Sequence, residues 1–257
     1  MQKSHLPSER QGDTVARKKI VFVIVEGPSD DEALGVMLEK LFSSSTVFVH
    51  ITHGDITSKP GADPSRILIT VGDIVKKYAN SNYLRNSHFQ EIIHITDTDG
   101  AYIPNANVVK DPLAQKTKYT LTEIHTSNVE GILKRNSIKS QCINRLSSTR
   151  KIWGIPYQIY YMSCNLDHVL HNKQNSSDEE KENDAFIFAK RYKQDIDGFV
   201  KFIAESDFSV TSSYIDSWNY IKQDTHSLER HTNFGICLIS ATKSVSEKDT
   251  SSSTSNG

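Results

Sequence analysis

Three carboxylates at the ends of two apolar runs are the residues of this chain best placed to do chemistry. Glu26 follows Ile20-Val-Phe-Val-Ile-Val25, and Asp97 and Asp99 follow Ile92-Ile-His-Ile95. A carboxylate at the mouth of a buried strand gives up hydration, and a cation or substrate group there compensates it. Oxygen ligands from Asp and Glu suit a hard divalent cation, Mg²⁺ or Mn²⁺, of the kind used in phosphate-ester chemistry. Within a strand, side chains at i and i+2 share a face, so Asp97 and Asp99 reach one ion if the strand persists through Asp99.

The residues after Glu26 suggest a phosphate site. Gly27 permits a tight strand-to-helix turn and close approach of the backbone to a substrate, and the helix start offers free N–H groups, with Gly27 and Ser29 as the contacts. Ser29 and Glu32 have capping-box spacing. Asp30 lies in the first turn, where it either points back toward Glu26 or serves the helix dipole; Asp31 is assigned to the dipole alone.

These residues need a scaffold, and hydrophobic periodicity supplies one. The run 20–25 is apolar throughout, as in a strand covered on both faces. Ala33, Leu34, Met37, Leu38, Leu41 and Phe42 then repeat at helical spacing, and Val47 to Ile51 forms a second strand after the Ser43–Ser45 break. A helix is predicted from Ser65 to Tyr78, a third strand over Ile92–Thr96, helices over Leu121–Leu133 and Ser137–Leu146, and a fourth strand over Tyr157–Met162. Strand-helix alternation of this kind predicts an α/β, mostly parallel sheet flanked by helices, with ligands at the carboxyl ends of the strands. Residues 172–183 are polar and acidic and read as a linker or loop. Beyond them, 184–241 forms a helical C-terminal portion, with Gly198 dividing the helix of 184–205 and another helix near Ser213–Ile221. Residues 1–17 and 242–257 lack apolar periodicity and are set aside as disordered tails.

Composition narrows the class. Lys plus Arg number 30 against 31 Asp plus Glu, so no global basic field marks a nucleic-acid binder. Basic residues do gather locally at Lys76-Lys77, Lys116/Lys118, Lys134-Arg135, Arg145, Arg150-Lys151 and Lys190-Arg191; these read as solvated helix faces. Cys142, Cys164 and Cys237 stand too far apart for a zinc ribbon or disulfide framework. No apolar stretch approaches the ~20 residues of a membrane span, and no signal-peptide region opens the sequence, so a cytoplasmic protein without a membrane partner is expected.

Taken in order, the apolar strand, Glu26-Gly27, helix, strand, helix, and strand ending in Asp97-x-Asp99 resemble the Toprim family over roughly residues 18 to 100. An extension through Tyr157–Met162 would make 18–171 a Toprim-like, Rossmann-like catalytic domain. The string Val25-Glu-Gly-Pro-Ser-Asp-Asp-Glu-Ala-Leu34 is most similar to the OLD-type, defence-associated branch. That resemblance implies a metal-dependent nuclease acting on DNA or RNA, in which Glu26 and Asp30 ligate one metal and Asp97 and Asp99 a second or shared one. Glu26 would also be the general acid/base. It further implies an acidic ligand near Asp167 and a late catalytic lysine, with Lys173 and Lys190 as the choices. From its position alone Asp167 reads as a helix-start residue, and His168 and His171 read as surface residues. The sequence has no G-x-x-x-x-G-K-[ST] motif, so the ATPase of full OLD proteins would come from a separately encoded partner, in a phage-defence setting.

Three other readings remain open. Ile95-Thr-Asp-Thr-Asp-Gly100 also resembles the haloacid dehalogenase signature, with Asp97 as nucleophile and Asp99 as acid/base, although that motif normally opens its domain; Asp-x-Asp also serves Mn²⁺ in nucleotide-sugar transferases. The third is a non-catalytic Toprim-like module that binds nucleic acid or a partner ATPase.

Overall fold

The computed structural model describes residues 19–43 and 47–253. The tail 1–17 lies outside them. A five-stranded sheet of order β2-β1-β3-β8-β7 forms the centre, from β1 (Lys19–Val25), β2 (Val47–His53), β3 (Phe89–Asp97), β7 (Lys151–Ile152) and β8 (Ile155–Met162). All pairings are parallel except the β7/β8 hairpin. The chain is therefore an α/β protein with a mostly parallel sheet flanked by helices.

Alternation along the strands divides the core in two. Val21, Val23 and Val25 of β1, with Ile93 and Ile95 of β3, face α1 (Pro28–Phe42), α5 (Asp178–Tyr192), α6 (Ile196–Glu205) and α8 (Phe234–Ser253). Ile20, Phe22 and Ile24, with Ile92, face α2 (Ile67–Ser81), α3 (Val129–Ser147) and α7 (Tyr214–Ile221). The helical portion beyond residue 184 thus shares one buried cluster with the central strands, through Phe188, Phe199 and Phe234.

Several elements differ from the sequence expectation. The helix expected over Leu121–Leu133 is instead part of a small sheet of order β4-β6-β5, made by β4 (Val108–Lys110), β5 (Lys118–Tyr119) and β6 (Ile124–Thr126). Ile124 and Thr126 alternate inward there, and helix begins only after Asn128, whose side chain accepts from the Gly131 amide at 3.0 Å. Nothing interrupts α3 before Ser147, so the two expected helices become one register. The expected linker 172–183 follows a short helix, α4 (Leu166–His171), and already contains the start of α5, capped by the Ser177/Glu180 box. The break in 184–205 falls before Gly198, because the Asp195 carboxylate caps α6 by accepting from the Gly198 amide at 2.9 Å. α8 runs through Ser253, over most of the stretch set aside as a tail; 254–257 lie outside the described residues.

Where α8 crosses α6, a Cβ on Gly235 would sit 2.7 Å from the Ala204 Cα. Backbone cannot yield there as a flexible side chain would. Gly235→Ala should therefore lower stability by about 1–3 kcal/mol in thermal or denaturant unfolding.

Candidate functional site

Parallel pairing brings the carboxyl ends of β1 and β3 side by side, with Ile24 opposite His94. Just beyond, Glu26 Oε1 accepts from Thr96 Oγ1 at 2.7 Å and from the Asp97 amide at 3.0 Å. Strand period then separates the acids. Glu26 and Thr96 lie toward α3, whereas Asp97 continues the Ile93/Ile95 face toward α1 and Asp30.

β3 ends at Asp97, which removes the basis for placing Asp97 and Asp99 on one strand face. The Thr98 amide donates to Met162 O and the Asp99 amide to Cys164 O, while Asp99 and Gly100 turn through φ of +48° and +67°. Such a conformation is uncommon outside glycine, although Asp tolerates it better than most residues. Arg135 secures it: Nη2 donates to Asp99 O at 2.7 Å and Nη1 to the Tyr119 hydroxyl at 2.6 Å. The turn swings the Asp99 carboxylate onto Lys139 of α3.

Lys139 is the residue that sequence reasoning missed. Its ammonium pairs with Asp99 Oδ2 and lies 3.4 Å from Glu26 Oε1. The lysine side chain has 0% exposure, while Glu26 and Asp99 keep 16% and 22%, so the carboxylates meet solvent and the ammonium does not. A signal was available: Lys139 precedes Cys142, Ile143 and Leu146 on the buried stripe of α3, a position where lysine is rare unless paired. Lys173 is instead exposed and pairs with Asp184 at 2.6 Å, and Lys190 is exposed on α5. Neither is the buried lysine.

Asp30 points back toward Glu26, but as a cap. Its Oδ2 accepts from the Glu26 amide at 3.1 Å and the Gly27 amide at 2.9 Å. The N-cap is accordingly Gly27 with Pro28 in the first turn, two residues before the expected Ser29/Glu32 box. The Gly27 amide, expected to meet a phosphate, thus donates to Asp30 here. Ser29 lies on an open groove of about 530 Å³ between the starts of α1 and α5, alongside Lys181 and the acidic Glu32, Asp178 and Glu182. Asp167 occupies the first turn of α4, 3.7 Å from Lys181, and its charge bears on Asp30. His168 is buried rather than on the surface, and half-buried His171 lies edge-on to Phe188.

Burial and mutual repulsion set the protonation of the cluster. Burial is the largest influence on Glu26, opposed by Lys139 and reinforced by Asp99, and its pKa rises to about 7. Asp97 is held well above the usual carboxylate range by burial and by the charges of Glu26, Asp30 and Asp99. Burial alone would raise Asp99 too, but Lys139 and Arg135 draw it below its ordinary value. No donor among the described residues hydrogen-bonds the Asp97 carboxylate. Also among them, no three carboxylate, imidazole or thiol groups converge closely enough to enclose a metal ion. The arrangement is thus an acidic pocket with one carboxylate near half-ionised at neutral pH, one without a partner, and one locked to a buried lysine.

No family model matches the chain, and neither a curated protein nor a solved structure matches it.

Proposed function

We propose that this protein is a Mg²⁺- or Mn²⁺-dependent nuclease of Toprim type, hydrolysing phosphodiester bonds in DNA or RNA. The observation that carries the reading is the meeting of Glu26, Asp97 and Asp99 at the carboxyl ends of adjacent parallel strands, around the buried Lys139. Strand order β2-β1-β3-β8, with Glu26 after the first strand and Asp97 at the end of the third, supports the same family assignment.

The donor chemistry fits a hard cation. Asp97 carries an unpartnered carboxylate raised by burial and neighbouring acids, a state that a divalent charge would relieve. Asp97 would be the primary ligand, and Glu26 and Asp30 would have to be drawn in around the ion, since no three such groups among the described residues already enclose one; Asp99 would act through Lys139. When bound, the metal supplies charge neutralisation and an acidified water. Glu26, near half-ionised at neutral pH, is suited to take up or return a proton. Lys139 offsets the negative charge of the pocket and fixes the Glu26 and Asp99 carboxylates. Coupling to a separately encoded ATPase, as in OLD-type systems, belongs to the same proposal.

Purified protein should cleave DNA, transfer RNA or another RNA when Mg²⁺ or Mn²⁺ is present, and Glu26→Gln and Asp97→Asn should each reduce cleavage to background. Undiminished cleavage by both variants would remove these residues from the reaction. An aspartyl-phosphate trapped at Asp97 would favour a phosphatase instead.

A further inference from the structure

A second constellation lies at the opposite end of the sheet. β7 and β8 are joined by Trp153-Gly154, with φ of +50° and +77°. Two-residue hairpins with both central residues at positive φ favour Asn or Asp before Gly, so a tryptophan there holds a costly backbone conformation. Its carbonyl accepts from Asn86 Nδ2 at 3.3 Å, and its ring meets Phe89 edge-on at 6.2 Å.

Between this hairpin and α2 runs a groove of about 230 Å³. Its apolar surface includes Ile69, 54% exposed, and Trp153, while Lys76 and Lys151 supply the charge. No carboxylate lines it. Lys76 reaches Asp73 at 3.4 Å, an exposed pair of small strength that a phosphate can displace. Two basic clusters that read as unrelated helix faces, Lys76-Lys77 and Arg150-Lys151, therefore contribute to one apolar slot.

An aromatic ring beside two ammonium groups complements a ligand that combines flat apolar surfaces with closely spaced anions. Single-stranded nucleic acid has both, whereas in a duplex the base faces are already stacked. We propose that this groove docks single-stranded nucleic acid, with phosphates at Lys76 and Lys151 and a base against Trp153. The site lies at the start of β8, seven residues or about 23 Å from its acidic end at ~3.3 Å per residue. It does not depend on the nuclease reading, since a protein that only binds nucleic acid would use the same groove.

The test uses the full chain in EDTA, so cleavage plays no part. A labelled oligothymidylate of about 15 nucleotides, within the usual site size for single-strand binders, is titrated by anisotropy and by tryptophan fluorescence. Saturable quenching is expected from Trp153, since the other tryptophan, Trp218, is buried at 3% exposure. Lys76→Glu/Lys151→Glu should weaken binding about tenfold or more and flatten the slope of log affinity against log salt by about 1.4, the value for two contacts to a single strand. Trp153→Asn suits the turn and should fold, yet should lose about tenfold in affinity with the base contact. Absent binding, or unchanged affinity in these variants when circular dichroism shows them folded, overturns the proposal. So does quenching by anionic phospholipid vesicles without quenching by the oligonucleotide. If the charge-reversed protein does not fold, Trp153→Asn alone decides.

Discussion

Lys139→Met should cost about 3–5 kcal/mol at pH 7.5, the range for removing one partner of a buried ion pair, and lower the melting temperature by roughly 10 °C for a chain of this length. Methionine replaces much of the lysine stem, so the loss comes mainly from charge. Without the ammonium, Glu26, Asp97 and Asp99 repel one another, with Arg135 and, more weakly, Lys181 as cations still acting on Asp99. Their pKa values should all climb. Acid should therefore recover part of the lost stability, because protonation removes the repulsion that Lys139 otherwise offsets. Divalent cation at pH 7.5 should do the same, by supplying charge to the same carboxylates. Thermal unfolding at pH 5 and 7.5, with and without Mg²⁺, reads all three effects. A variant that melts like the parent at pH 7.5 would show that Lys139 does not hold the cluster together. Under the proposed function, cleavage should disappear as well, since the Asp99 turn and the Glu26 carboxylate lose their shared anchor.

The parts of this architecture governed by periodicity were legible in the sequence, and the parts governed by turns were not. Apolar runs at 20–25 and 92–95 and the helical spacing from Ala33 to Leu41 predict β1, β3 and α1 because burial on a fixed face imposes a repeat. Glu26 and Asp97 follow from the ends of those runs. The Asp99 carboxylate could not be placed in the same way, because its direction depends on a positive-φ turn secured by Arg135, thirty-six residues later. Asp30 was left between two roles for a related reason: it points toward Glu26, but its oxygen is taken by the Glu26 and Gly27 amides. The helix expected over Ser137–Leu146 already places Lys139 on one stripe with Cys142, Ile143 and Leu146, so the lysine was legible as a buried cation. Its partners were not, because the Asp99 carboxylate reaches it only through the positive-φ turn.

The contribution of the acidic cluster to stability should fall as pH rises from about 4.5 to about 7, opposite to the usual behaviour of paired carboxylates and opposite to the buried His94 and His168, whose lowered pKa values favour folding as pH rises toward 6.5. The sign follows from proton counts. Glu26 has an ordinary value of 4.5 and a folded value of about 7, so between these limits the folded state holds a proton that the unfolded chain has released. The Glu26 contribution therefore makes unfolding easier with each step up in pH and levels off above the folded value. A shift of that size corresponds to roughly 3 kcal/mol. Asp97, also raised, adds to the decline; Asp99, lowered, adds stability that is lost only below its ordinary value of 3.8. The parent's profile sums this decline with the opposite histidine contribution, so the cluster's part is read from the difference between the parent and a variant lacking one of its acids. Asp97→Asn removes one ionising group from the pocket, so its melting temperature should exceed the parent's by several degrees at pH 7.5, at roughly 2–4 °C per kcal/mol. The two proteins should converge as pH falls toward 3.8, the ordinary value of Asp97. Mg²⁺ should raise the parent's melting point at pH 7.5 by satisfying the same carboxylate, and raise that of Asp97→Asn much less. Equal shifts in both proteins would place the ion elsewhere, and a difference between the parent and Asp97→Asn that does not change between pH 5 and 7.5 would mean that the native cluster is not under charge repulsion. The gain in stability would come with loss of cleavage, because the repulsion that Asp97→Asn relieves is also the affinity with which the pocket would take up its cation.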